Sequence, residues 1–131
     1  MPTLEAADKA TGRVEYMGDL SVPNMTHAKI VRSPFAHARI TSLDASVARA
    51  LPGVVCVFTR DELLADPNME TLYGFVYRDV PVVALDKVRH EGDIVAVVVA
   101  ETETGAEEAA ELVDVDYEEL PSVMSVDAAL E

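Results

Sequence analysis

The 131-residue sequence has no tryptophan and a single cysteine, Cys56. One thiol excludes an internal disulfide, so a packed core must hold the chain. Cys56 lies inside the apolar run VVCVF, where the expected role is a small buried hydrophobe. Basic residues are scarce: 10 Lys and Arg stand against 24 Asp and Glu, a net charge of −14. That balance argues against a nucleic acid partner, because Lys and Arg are what neutralise phosphates. It equally disfavours an anionic membrane surface. No apolar run approaches the roughly 18 residues of a membrane span. The longest, from Ile94 to Ala100, is strand-sized. The opening MPTLEAADKATG has no apolar signal region, so a cytoplasmic location is expected. Gly-x-Gly-x-x-Gly, P-loop and Cys-x-x-Cys patterns are missing. Nothing in the sequence cradles a phosphate or holds an iron–sulfur cluster.

What is present is hydrophobic mass in short, punctuated runs. Half of the residues are hydrophobic, enough for one domain that buries about two-thirds of its unfolded surface. Residues 1–10 are expected to be a partly ordered lead-in, and 11–131 a single domain. Residues 26–33 read as a strand, with Ala28 and Ile30 facing the core and Lys29 and Val31 facing out. Residues 38–43 read as a second strand. Asp44 caps a helix in which Val47 and Leu51, four apart, share the buried face. Pro52-Gly53 ends it, and VVCVF follows as a strand. Thr59-Arg60-Asp61-Glu62 has the spacing of a capping box and opens a short helix.

Residues 66–79 have no regular pattern and hold Tyr73, Phe75 and Tyr77 among seven large aromatics. A long loop is expected, and loops of that length are often functional. Residues 80–85 and 87–90 are short extended pieces. Ile94 to Ala100 does not alternate, so a central strand covered on both faces is expected. Thr102 or Thr104 caps a helix with the stripe Ala106, Ala109, Ala110, Val113. VDVDYEEL alternates, with Val115 and Tyr117 inward and Asp114, Asp116 and Glu118 outward. Ser125 caps a last turn. The order β, β, α, β, α, loop, β, β, α, β, α defines an α+β domain, a mixed sheet with short helices packed on it.

The chemistry-bearing clusters are sparse. His90-Glu91-Gly92-Asp93 brings an imidazole and two carboxylates together, but zinc requires further His or Cys ligands at suitable spacing. A glycine turn feeding the buried strand explains the same residues. His27 and His37 flank the RSPFAHAR turn with Ser33 between them, without a nucleophile-elbow motif. Asp114, Asp116 and Glu118 could hold a hard cation, yet they lack the glycine and terminal Glu of a calcium loop. A solvated strand face accounts for them. Lys87 in ALDKVRHEGD is placed like the modified lysine of a lipoyl carrier, a minor alternative because the flanking pieces are unequal.

Four stretches together carry a family likeness: DKATGRVEYMGDL, MTHAKIVRSPFAHARITSLDASVARALPGVVCVFTRDEL, VRHEGDIVAVVVAET and AEEAAELVDVDYEELPSV. In order and spacing they resemble the a/b hammerhead domain of the xanthine dehydrogenase and aldehyde oxidase family, the large molybdenum hydroxylases. The likeness runs from about Ala7 to the end. The chain departs from the family at HEGDIV, where Val-Gly-Glu-Pro or Val-Gly-Gln-Pro is usual, and across 66–79. The resemblance implies a non-catalytic scaffold and interdomain contact within a longer or split enzyme. Such an enzyme hydroxylates aldehydes or N-heterocycles with oxygen from water. Its molybdopterin sits in downstream domains, and iron–sulfur clusters and FAD sit in other domains or subunits. No catalytic, cofactor-binding or metal-binding residue is carried over to this chain. The resemblance also implies that the chain is inactive alone and exposes an apolar patch where the missing domains dock. Phe35, Tyr73, Phe75 and Tyr77 are the candidates for that patch. A stand-alone interaction module is the alternative.

Overall fold

The structure, a computed structural model, describes residues 6–130. Residues 1–5 of the expected lead-in and the terminal Glu131 lie outside the described residues. Helix α1 (Ala6–Ala10) and a 3-10 turn (Met17–Asp19) precede the first strand. There follow β1 (His27–Arg32), β2 (Ala38–Asp44), α2 (Ser46–Ala50), β3 (Val54–Phe58) and α3 (Arg60–Ala65). Next come β4 (Leu72–Tyr73), β5 (Val80–Pro81), β6 (Lys87–Val88), β7 (Ile94–Ala100), α4 (Glu103–Glu111), β8 (Asp114–Glu119) and α5 (Val126–Leu130). One sheet has the order β1-β7-β3 and a second β6-β2-β8, while β4 and β5 form a separate ribbon. Every ladder is antiparallel.

Local chemistry sets the element ends. Thr102 Oγ1 accepts the Gly105 N–H at 3.1 Å and starts α4. The Asp44 carboxylate accepts the Ser46 N–H at 2.8 Å, and that bond holds it below its ordinary pKa. The helical N-cap position itself is Ala45, one residue later than expected. Within α2 the inward residue is Ala48, with Leu51 partly buried beside it, while Val47 is 56% exposed. The four-residue spacing of Val47 and Leu51 was the wrong pair, because a helix this short buries only one narrow line. Helix α4 lays Ala106 and Ala109, both buried, over β7 and β1. Alanines there let the helix approach the sheet closely.

Two core clusters result. Ala48, Val57, Ala96, Val98, Ala109 and Val113 seal the helical face of the first sheet. Ala38, Ile40, Ala84, Val88 and Val95 join the second sheet to the Ile94 end of β7, with Phe35 and Tyr117 packed against them. Strand β7 is central, as expected, but only its first residues are covered on both faces. Val97 and Val99 face outward, half-buried.

The inward and outward faces of β1 are the reverse of the expectation. Lys29 pairs with Val98 and Val31 with Ala96, both on the helical face. Val31 therefore packs into the core, and the Lys29 ammonium donates to Glu107 Oε1 of α4 at 2.6 Å. That bond raises the Lys29 pKa. Ala28 and Ile30 lie on the open face beside Val99 and Val97. Cys56 is a further correction: it is exposed, not buried. A register shift between Val54 and Cys56 turns the thiol to the open face opposite Val99.

Candidate functional site

The His90-Glu91-Gly92-Asp93 segment is a braced turn. Gly92 has φ +86°, a conformation glycine adopts freely. Its N–H donates to the Ser33 carbonyl at 2.8 Å, and the Ser33 N–H donates back to the Asp93 carbonyl at 2.9 Å. The Arg32 guanidinium donates to the Gly92 carbonyl at 2.8 Å. The Asp93 carboxylate accepts the Arg89 N–H at 3.0 Å and the Ile94 N–H at 3.1 Å. His90 points to solvent, with Nε2 3.9 Å from Asp93. The acid thus organises the entry to β7, and the imidazole does not.

Urea unfolding can check this division of labour. Asp93→Ala is expected to cost about 1–3 kcal/mol, because two backbone donors lose their acceptor. Gly92→Ala is expected to cost about 1–2 kcal/mol from its positive φ. No neighbour lies within 4 Å of the added Cβ to enlarge that loss. His90→Ala is expected to stay within about 0.5 kcal/mol of the parent chain. A His90→Ala loss equal to that of Asp93→Ala would return the imidazole to the site.

The other sequence candidates are engaged or dispersed. Ser33 is buried, and its hydroxyl accepts the Phe35 N–H at 3.0 Å and donates to the Phe35 carbonyl at 3.1 Å. Burial raises the Tyr117 hydroxyl pKa, and a hydrogen bond with Ser33 partly offsets this. Asp116 accepts the Ser42 hydroxyl at 2.7 Å, and Glu118 faces Arg39 at 3.4 Å. These cross-strand pairs lie on the solvent face of β2 and β8. Lys87 is half-buried in β6, an edge strand paired with β2, and not at a hairpin tip.

His27 and His37 do not meet. His37 instead shares an open groove of about 490 Å³ with His90, Arg89, Glu91 and Met124. Its Nδ1 lies 2.7 Å from the Pro121 carbonyl. A carbonyl only accepts, so Nδ1 carries the proton. This pairing of residues 84 apart follows from the β2–β8 register and had no local signal in the sequence. Among the described residues no group of three or more His, Cys, Asp or Glu could hold a metal ion. Among them, too, no buried side-chain nitrogen or oxygen lacks a partner.

The larger anomaly is surface. A folded monomer of 14.1 kDa exposes about 6,700 Å². This chain exposes 9676 Å². The excess is about 3,000 Å², and the leading and trailing segments, with Met17, Leu20, Met124 and Leu130 exposed, contribute to it. One contiguous apolar part of the surface is the 72–81 segment. Residues 66–79, expected as a loop, contain β4 and carry a two-stranded ribbon with β5. Between its strands Phe75 is 107% and Tyr77 77% exposed, with Val76 also exposed. Tyr73 is exposed too, whereas Phe35 packs on Tyr117 with ring centroids 5.1 Å apart. Three of the four expected docking aromatics are therefore on the surface, and Phe35 is core.

The domain is thus two small antiparallel sheets, helices packed on the first of them, and an exposed apolar ribbon. Residues 11–121 match the family model described as "Aldehyde oxidase and xanthine dehydrogenase, a/b hammerhead domain", and the chain belongs to that family. It is 41% identical to the xanthine dehydrogenase molybdenum-binding subunit of Escherichia coli O157:H7, over 97% of this chain and 18% of that protein. It is similar in structure to quinoline 2-oxidoreductase from Pseudomonas putida 86, with TM-score 0.84 and 42% identity over 98% of this chain and 17% of the other. The aldehyde oxidoreductase from Desulfovibrio gigas gives TM-score 0.79 and 36% identity, over 96% of this chain and 15% of the other. The chain thus spans less than a fifth of each of these relatives. The α+β hammerhead architecture expected from the sequence is the one observed. No helix among the described residues is long and apolar enough to cross a membrane.

Proposed function

We propose that this chain serves as the non-catalytic scaffold and interdomain contact of a molybdenum hydroxylase of the xanthine dehydrogenase and aldehyde oxidase type. The observation that carries the reading is the hammerhead family match over residues 11–121 in a chain that spans less than a fifth of its relatives. The parent enzyme hydroxylates aldehydes or N-heterocycles with oxygen from water, in the cytoplasm. The names of the relatives, a xanthine dehydrogenase, a quinoline oxidoreductase and an aldehyde oxidoreductase, support that substrate range.

The described residues do not fit a molybdopterin. The groove at His37 is open, no buried polar atom awaits a ligand, and a net charge of −14 repels a dinucleotide's phosphates. The cofactor is assigned to downstream domains, with iron–sulfur clusters and FAD in further domains or subunits.

The test compares the chain alone with its native gene product or co-purifying complex. Molybdenum content and dye-coupled oxidation of a panel of aldehydes and N-heterocycles are measured for both. The native product is expected to give metal and turnover, and the 131-residue chain neither. Turnover by the chain alone would overturn the scaffold role. A native product without molybdenum would overturn the parent enzyme.

A further inference from the structure

We infer that the β4–β5 ribbon is the docking finger of this domain, and that Phe75, Val76 and Tyr77 are buried by the molybdopterin-binding remainder of the parent enzyme. This rests on the parent reading given above and names the contact within it. The ribbon is preformed. The Val82 N–H donates to the Thr71 carbonyl at 3.0 Å, continuing the ladder below β4 and β5. Arg78 bridges to Glu70 at 2.5 Å across the two arms. A Cβ at Gly74 would overlap the Tyr77 carbonyl, so the tip turn is too tight for any other residue. At the base, Val83 and Ala84 are fully buried and fix the ribbon to the domain.

A lone two-stranded ribbon is marginal in water, and packing against further structure is what stabilises one. No element among the described residues supplies that packing at the tip, where Phe75, Val76 and Tyr77 are exposed. The tip has the composition of an interface core: residues 73–77 are Tyr-Gly-Phe-Val-Tyr, with no charge among them. Glu70, Arg78 and Asp79 are the only charged residues in 69–81, within a chain of net charge −14.

Two considerations choose the occupant. More than four-fifths of the relatives' length lies outside this chain, and the ribbon tip exposes three consecutive large apolar residues, Phe75, Val76 and Tyr77. A second copy would bring another strongly negative surface against this one, which opposes self-association.

Hydrogen exchange on the native molybdenum-containing enzyme tests the contact. Amides of residues 73–79 are expected to exchange about tenfold or more slower there than in the 131-residue chain. The double variant Phe75→Ser, Tyr77→Ser should lower the enzyme's thermal midpoint and restore fast exchange at 73–79. The midpoint of the 131-residue chain should not move. Equal exchange at 73–79 in an enzyme that does contain molybdenum would overturn the docking finger and leave the parent reading standing. Concentration-dependent protection in the chain alone, lost in Phe75→Ser, would make a second copy the occupant and overturn it as well. A native product without molybdenum or further domains would overturn both readings.

Discussion

Val98→Asp is expected to unfold the domain at neutral pH, whereas Val99→Asp, one residue along the same strand, is expected to leave it folded. Val98 is 0% exposed and lies in the cluster sealed by α4 and β3. A carboxylate there has no partner and no water. Lys29 lies opposite on β1, but its ammonium is already held by Glu107, so the new carboxylate must stay charged in an apolar site or take up a proton, and either way the folded state loses about 3–5 kcal/mol. Small domains have about 5 kcal/mol or little more in total. Val99 faces the other way, between Ala28 and Cys56, which are both exposed. Its replacement leaves the carboxylate in contact with water, at a cost within about 1 kcal/mol. Far-UV circular dichroism and urea midpoints on the isolated chain distinguish the two. Equal unfolding would mean that the outward face of β7 is sealed after all. In the parent enzyme the contrast should narrow, because a covering partner removes the water that makes Val99→Asp tolerable.

That contrast also shows why part of the fold was legible in the sequence and part was not. The capping box at Thr59, the alanine stripe of α4 and the alternation of β8 are local patterns, and each was found where expected. They are local because a helix cap and a periodic stripe depend on neighbours three or four residues away. The faces of β1 depended on something else. Apolar Ala28 and Ile30 were read as inward by the ordinary rule, yet Lys29 faces α4 because Glu107 answers it. The rule fails where a long cationic side chain finds its counter-charge on the packed helix and leaves its apolar neighbours on the open face. Cys56 failed for a geometric reason, since one register shift reverses a strand's faces. The His37–His90 groove depends on pairing between β2 and β8, far apart in the chain. The ribbon at 72–81 was hidden by its own shortness. Two residues per strand give no periodicity, and aromatics in a loop do not announce whether they face in or out.

Thr59→Val is expected to cost about 2–3 kcal/mol at pH 7, combining a lost helix cap with a lost bond to a charged group. Thr59 is fully buried; its hydroxyl accepts the Asp61 N–H at 3.2 Å and donates to Glu62 Oε2 at 2.5 Å. The Thr59 N–H donates to the same oxygen at 2.8 Å. Burial pushes the Glu62 carboxyl up, but these bonds and the Arg49 guanidinium at 2.5 Å outweigh it and hold it below 4.5. A folded-state pKa below the unfolded one gives stability that is present above pH 4.5 and is lost as pH falls through the folded value. The parent chain should therefore lose stability more steeply below that pH than Thr59→Val does. Urea midpoints at neutral and acidic pH, with Glu62→Gln as the charge-free control, read the difference. If the gap between parent and Thr59→Val is the same at both pH values, the hydroxyl acts only as a cap, and the backbone N–H groups and Arg49 lower Glu62 without it. The consequence reaches the ribbon. Helix α3 runs directly into residues 66–71, and the Arg60 guanidinium donates to the Leu85 carbonyl at 2.9 Å. One capped helix thus clamps both ends of the segment that carries Phe75 and Tyr77. Loosening Thr59 should therefore speed amide exchange at the ribbon base before the sheets open.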